Sequence, residues 1–107
     1  MKLITEGGHF WLKFDNGYTL SCFNGYGSHT ENHSAIEKWH KIYMGERNPY
    51  ENRWESELIE IAILRDGDLV TQNIIESDDS VKTIKANELV EIINIVNNLE
   101  DINEYNK

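Results

Sequence analysis

Cysteine occurs once in this sequence, at Cys22, so no disulfide can form within the chain. The expectation that follows is a reducing, intracellular setting. Long apolar runs are missing as well. Met1–Gly8 lacks the apolar stretch of a secretory signal, and no segment approaches the ~20 apolar residues of a membrane-spanning helix. Base is scarce: ten Lys and Arg stand against nineteen Asp and Glu, for a formal net charge of −9. That deficit argues against sequence-independent binding to DNA or RNA, which depends on lysine and arginine displacing counterions. The familiar catalytic signatures are absent too. No Gly-x-Ser-x-Gly elbow occurs, nor a phosphate loop ending in Gly-Lys-Ser or Gly-Lys-Thr. The chain is expected to be soluble and cytoplasmic, with no direct contact with nucleic acid or membrane.

What is present is a set of turn signals between strand-forming runs. At 107 residues with 39% hydrophobic content, the chain is long enough for one domain, 1–107, with one core. Phe14-Asp15-Asn16-Gly17-Tyr18 carries an Asn-Gly hairpin signal. His9–Phe14 precedes it and Tyr18–Phe23 follows, and a two-residue loop is expected because Asn tolerates and Gly freely adopts positive φ. A second hairpin pairs Leu58–Leu64 with Leu69–Ile74 through Asp66-Gly67. Val81–Ile84 reads as a short further strand. Near the C-terminus, Leu89, Ile92, Ile93, Val96 and Leu99 recur at three- and four-residue spacing, the apolar stripe of a helix capped by Asn87. Leu89, Ile92, Ile93 and Val96 are expected in the core. Residues 35–55 read as a long loop or insertion, in which Ile36, Trp39 and Tyr43 also suit one helical face, and residues 101–107 as a frayed tail. The order of elements gives an α+β fold: an antiparallel sheet of four or five strands, two hairpins plus a short strand, with one C-terminal helix on a face.

Few residues have the spacing of a chemical site. His29 and His33, with His40 seven residues on, are the one group at metal-ligand spacing, but a third ligand and its supporting shell are not identifiable. Cys22, mid-strand beside Phe23, reads as a small buried hydrophobe. Gly25-Tyr26-Gly27 suits turn chemistry better than a ligand loop. Neither a catalytic residue nor a metal or cofactor is expected. A binding surface is better supported. Trp39, Tyr43, Tyr50 and Trp54 fall in the same stretch as Lys38, Lys41, Arg47 and Arg53, a mix of the residue types that dominate interface hot spots. Acid gathers elsewhere: Glu76 to Lys107 holds eight acidic residues and three lysines, with Asp78 and Asp79 adjacent. Such a surface keeps a protein soluble and also suits a basic partner.

The string Phe14-Asp15-Asn16-Gly17-Tyr18-Thr19-Leu20-Ser21, then Gly25-Tyr26-Gly27-Ser28 and Glu31-Asn32, resembles a set of short, mostly uncharacterised phage and prophage proteins. Their second half looks like Glu60-Ile61-Ala62-Ile63, an Asp-Gly turn, a strand and a helix beginning near Glu88-Leu89. The resemblance covers the chain apart from 35–55 and implies the α+β fold and a phage-type source, with no catalytic residue to carry over. In size and charge such proteins resemble inhibitors of host defence of the anti-CRISPR kind. Three functions follow as expectations. The first is a non-enzymatic accessory protein that inhibits a host defence system by binding one of its proteins through Trp39, Tyr43, Tyr50, Trp54, Asp78 and Asp79. The second is a sponge, in oligomeric form, that sequesters a nucleotide signal with Arg47 and Arg53. The third is a small metal-dependent enzyme using His29 and His33.

Overall fold

The computed structural model describes residues 1–25, 28, 30 and 54–100. Its framework is a six-stranded, wholly antiparallel sheet. The strands are β1 (Lys2–Glu6), β2 (His9–Lys13), β3 (Tyr18–Phe23), β4 (Leu58–Arg65), β5 (Asp68–Leu69) and β6 (Lys82–Lys85). They lie in the order β1-β2-β3-β4. The far edge of β4 is shared, β5 pairing with Leu64 and Arg65 and β6 with Leu58–Ile61. One turn of helix, α1 (Thr71–Ile74), follows β5. A 3₁₀ turn (Ala86–Glu88) leads into α2 (Leu89–Asn97). The expected α+β architecture is therefore present. Among the described residues no helix is long and apolar enough to cross a membrane.

The period-2 alternation of the strands builds the core. Leu20 and Cys22 on β3, Ile59, Ile61 and Ile63 on β4 and Ile84 on β6 point to one face and are all buried. Helix α2 closes that face with Ile92 and Val96. Leu89, Ile93, Ile95 and Leu99 pack against the cluster half-buried, so Leu89 and Ile93 flank the core where full burial was expected. Cys22 lies wholly inside the cluster, and burial pushes its thiol up to about 12, which keeps it protonated and unreactive.

Four local expectations are corrected. Met1–Gly8 contributes a sixth strand, because Gly7-Gly8 turns Lys2–Glu6 back onto β2 with Glu6 opposite His9. Gly7 has the positive φ, at 57°, that such a two-residue turn uses. At Asp15-Asn16-Gly17 the loop has three residues, not two. Gly17 N–H donates to the Phe14 carbonyl at 3.2 Å, Phe14 N–H donates to the Tyr18 carbonyl at 2.9 Å, and the positive φ falls on Gly17 alone. That is a type I turn followed by a glycine bulge. Of the two hairpin signals read from sequence, Asp66-Gly67, with φ of 51° and 83°, is the one that forms a tight two-residue loop.

The return strand Leu69–Ile74 also stops early. Only Asp68 and Leu69 pair with β4, and the chain then coils into α1. Val70 N–H still donates to the Ile63 carbonyl at 2.8 Å, but the next ladder bond is replaced by a side chain. Thr71 Oγ1 accepts the Ile63 N–H at 2.9 Å and donates to the Ser80 carbonyl at 2.6 Å. A hydroxyl that accepts one bond and donates the other substitutes for a missing strand residue, which frees the rest of the β4 edge for β6. At the helix entry, Asn87 lies inside the 3₁₀ turn rather than at a cap. The first-turn donors are met by Lys85 N–H to Glu88 Oε1 at 3.3 Å and Ala86 N–H to the Glu57 carbonyl at 2.8 Å.

Candidate functional site

The strand register brings four side chains together on the second face of the sheet, opposite α2. His9 and Trp11 share a face of β2, and Phe23 and Ser21 stand across from them on β3. The His9 ring stacks on Trp11 at a centroid distance of 3.7 Å and 26°, and on Phe23 at 5.0 Å and 27°. Its Nε2 lies 2.6 Å from Ser21 Oγ. All four residues are half-buried. Burial holds the imidazole below its ordinary value of 6.5, although Glu6 and Glu60 pull in the opposite direction. The ring is therefore neutral at neutral pH, one nitrogen a donor and the other an acceptor.

A neutral histidine at hydrogen-bond distance from a serine has the reach of a general base and a nucleophile. Acyl transfer also requires donors aimed at a developing oxyanion. Ser21 is mid-strand, with Trp11 opposite on one side and Ala62 on the other. Backbone N–H groups in the middle of a sheet are spent on the ladder, so no backbone oxyanion hole can assemble there. What the arrangement does physically is clamp an aromatic row: two rings hold the imidazole and Ser21 fixes its tilt.

Beside this row lies a shallow cleft of about 310 Å³ lined by Thr5, Gly7, Gly8, His9, Phe10, Asn24 and Trp54. Two backbone segments meet at its floor. Asn24 N–H donates to the Gly8 carbonyl at 2.9 Å, and a Cβ on Gly8 would fall well inside contact distance of the Gly25 backbone. Asn24 Nδ2 donates to the Trp54 carbonyl at 3.3 Å, which brings the start of the second half of the chain to the end of β3. Gly25 and Ser28 are tied to each other at the end of β3. Ser28 is fully buried, and its hydroxyl donates to the Gly25 carbonyl at 2.7 Å while its N–H donates to the same oxygen at 3.1 Å.

The acidic residues occupy a different place. Asp78 and Asp79 are exposed in the loop between α1 and β6, and a groove of about 380 Å³ runs along Glu76–Asp79, Val81, Lys82 and Thr83. This loop is tied at several points. Ser77 Oγ donates to the Asp79 carbonyl at 2.6 Å, Ser80 N–H donates to Asp79 Oδ1 at 2.7 Å, and Lys82 Nζ donates to the Glu76 carbonyl. Thr71, which accepts from β4 and donates to Ser80, anchors it to the core. One carboxylate oxygen of Asp79 thus shapes the turn, while Asp78 projects from it.

Of the residues singled out from sequence, Trp54, Asp78 and Asp79 are placed by the structure, and Trp54 lies half-buried against the His9 cleft. Trp39, Tyr43, Tyr50, Arg47, Arg53, His29 and His33 lie outside the described residues. Among the described residues no three His, Cys, Asp or Glu side chains are grouped to hold a metal ion. The row His9, Trp11, Ser21 and Phe23 was not anticipated. Alternation within each strand puts His9 with Trp11 and Ser21 with Phe23, but only the β2–β3 register shows that the two pairs meet. Comparison with protein-family models, with curated proteins and with solved structures finds no match.

Proposed function

We propose that this protein is a non-enzymatic binding module whose ordered acidic loop docks on a basic surface of a partner protein. The observation that carries the reading is the anchoring of that loop: Thr71, fully buried, joins the Ile63 N–H of β4 to the Ser80 carbonyl. Exposed acid on a floppy loop is a solvating feature. Exposed acid on a loop fixed from the core loses little conformational entropy on binding, and it steers a basic partner into place. In this reading Glu76, Asp78 and Asp79 supply the charge, and the aromatic set Trp39, Tyr43, Tyr50 and Trp54 supplies the contacts that hold. The resemblance to phage proteins singles out a nucleic-acid-handling protein of a host defence system as the partner, since such a protein has a basic surface to be blocked.

The experiment is capture from a lysate of defence-active cells, followed by binding kinetics with the purified captured protein. Association is expected to slow as salt rises, because exposed charges are screened over ~8 Å at physiological ionic strength. Asp78→Asn/Asp79→Asn is expected to lower the association rate and leave dissociation nearly unchanged. Nucleotides released on heating the purified protein, with association insensitive to the double substitution, would instead favour the sponge and overturn the binding module.

A further inference from the structure

The sheet ends at β1, and among the described residues nothing pairs with the outer edge of that strand. We infer that this edge is the interface of a symmetric dimer, in which Lys2–Glu6 of a second copy adds antiparallel to Lys2–Glu6 with Ile4 facing Ile4.

The register follows from the β1–β2 hairpin. A two-residue loop makes Glu6 and His9 a hydrogen-bonded pair, so Ile4–Trp11 and Lys2–Lys13 are hydrogen-bonded pairs as well. Leu3 and Thr5 then direct their N–H and C=O groups away from β2, toward the open edge. A second copy centred on Ile4 places Leu3 against Thr5 of that copy, and Thr5 against its Leu3. Both are outward-bonding residues, so four backbone hydrogen bonds form with no group misdirected. In the same register Lys2 stands opposite Glu6 of the second copy, and Glu6 opposite its Lys2, both in the closely spaced non-hydrogen-bonded position. The five-residue strand is complementary in charge to its own antiparallel image.

Two features of the single chain fit this arrangement. Lys2 lies directly opposite Lys13 on β2, a like-charge pair that is unfavourable across strands. Glu6 of a second copy brings the missing opposite charge to Lys2. Leu3, an apolar residue in the edge strand, is 60% exposed, and Lys2, Thr5 and Glu6 are exposed with it. An open, exposed edge strand is a template for pairing with another strand. The two-fold axis runs perpendicular to the sheet, which continues across the interface and carries both copies of α2 on the same side. A five-residue pairing buries less than the roughly 1,200 Å² of a standard interface, so the dimer forms and dissociates with concentration.

The test is sedimentation equilibrium on the full chain from about 10 µM to about 1 mM, the range in which so small an interface is populated. The wild type is expected to pass from monomer to dimer. Lys2→Glu and Glu6→Lys each place like charges opposite one another twice per dimer, and each is expected to weaken self-association on the order of tenfold. The first substitution leaves a strand that is acidic at both ends, the second a strand that is basic at both ends. An equimolar mixture of the two variants therefore sets opposite charges across from one another at both ends of the paired strands, and it is expected to form a one-to-one heterodimer. A wild type that stays monomeric at the top of the range overturns the inference. So does a mixture that associates no better than its components, because that outcome removes the register.

Discussion

The side-chain amide of Asn16, in the loop between β2 and β3, donates to the backbone carbonyl of Val96, 80 residues away, at 2.8 Å. The same nitrogen donates to the Leu99 carbonyl at 3.1 Å, and its Oδ1 accepts the Tyr18 N–H at 3.2 Å. The last carbonyls of a helix have no partner within it. Here the hairpin turn supplies one, so the loop between β2 and β3 is also the C-terminal cap of α2.

Asn16→Ala leaves the Leu99 carbonyl and the Tyr18 N–H to find water at a half-buried site, and strips the Val96 carbonyl to the one bond it accepts from Leu99 N–H at 3.2 Å. A loss of about 1–2 kcal/mol in chemical denaturation is expected. Asn16→Asp keeps the acceptor for Tyr18 but sets a carboxylate against the negative end of the helix dipole. It is expected to cost at least as much as alanine. An aspartate variant as stable as the wild type would mean that the amide's two bonds contribute nothing.

Thr71→Val preserves shape and removes the hydroxyl that accepts from Ile63 and donates to Ser80. Two backbone groups then lack their partner in a site where Thr71 has no exposed surface. The expected destabilisation is roughly 2–3 kcal/mol, whereas Thr71→Ser, which keeps the hydroxyl, is expected to retain most of the stability. Amide exchange at Ile63 and proteolysis within 76–80 are both expected to quicken in the valine variant. If the loop stays as protected as before, the anchor is not what orders it.

Gly8→Ala addresses the contact between the first turn and the end of β3. A methyl group at Gly8 meets the backbone of Gly25, which has no flexible side chain to move aside. Overpacking of this kind is expected to cost about 1–3 kcal/mol. The control is Gly67→Ala. It meets no atom within 4 Å and tests only the cost of a positive φ, so its loss should be the smaller one, read by the same denaturation.

How much of this could be read from sequence depends on whether the cause is local. The Asp66-Gly67 loop needs only its own two residues to take positive φ, and it is where the dipeptide places it. The stripe through Ile92 and Val96 repeats on one face of a single helix and faces the core. By contrast, Lys2–Glu6 is a strand because β2 is there to pair with it, and its own five residues carry charge at both ends. Leu69–Ile74 has strand-type composition, yet the competing claim of β6 on the edge of β4 and the Thr71 hydroxyl end the pairing after Leu69. The His9 row is further from view, since each strand carries half of it. Asn16 announces its turn but not the helix end it caps.

The pH dependence of stability follows from the clamped imidazole. Burial among Trp11, Phe23 and Ser21 disfavours the charged ring and holds the folded-state value of His9 below 6.5, with Glu6 and Glu60 offsetting part of that effect. The unfolded chain therefore binds the proton first as pH falls. Stability from this group is present above the ordinary histidine value and is lost as pH falls toward the depressed folded value. Acidification from about pH 7.5 to about pH 5.5 is expected to lower the denaturation midpoint. His9→Gln retains a polar contact for Ser21 but cannot titrate. It is expected to be less stable than the wild type at the higher pH and to show a smaller drop between the two. An NMR titration of the His9 ring in the folded protein gives the direct reading, with a midpoint below 6.5 expected. A midpoint above that value would mean the two carboxylates outweigh burial, and the stability trend would then run the other way.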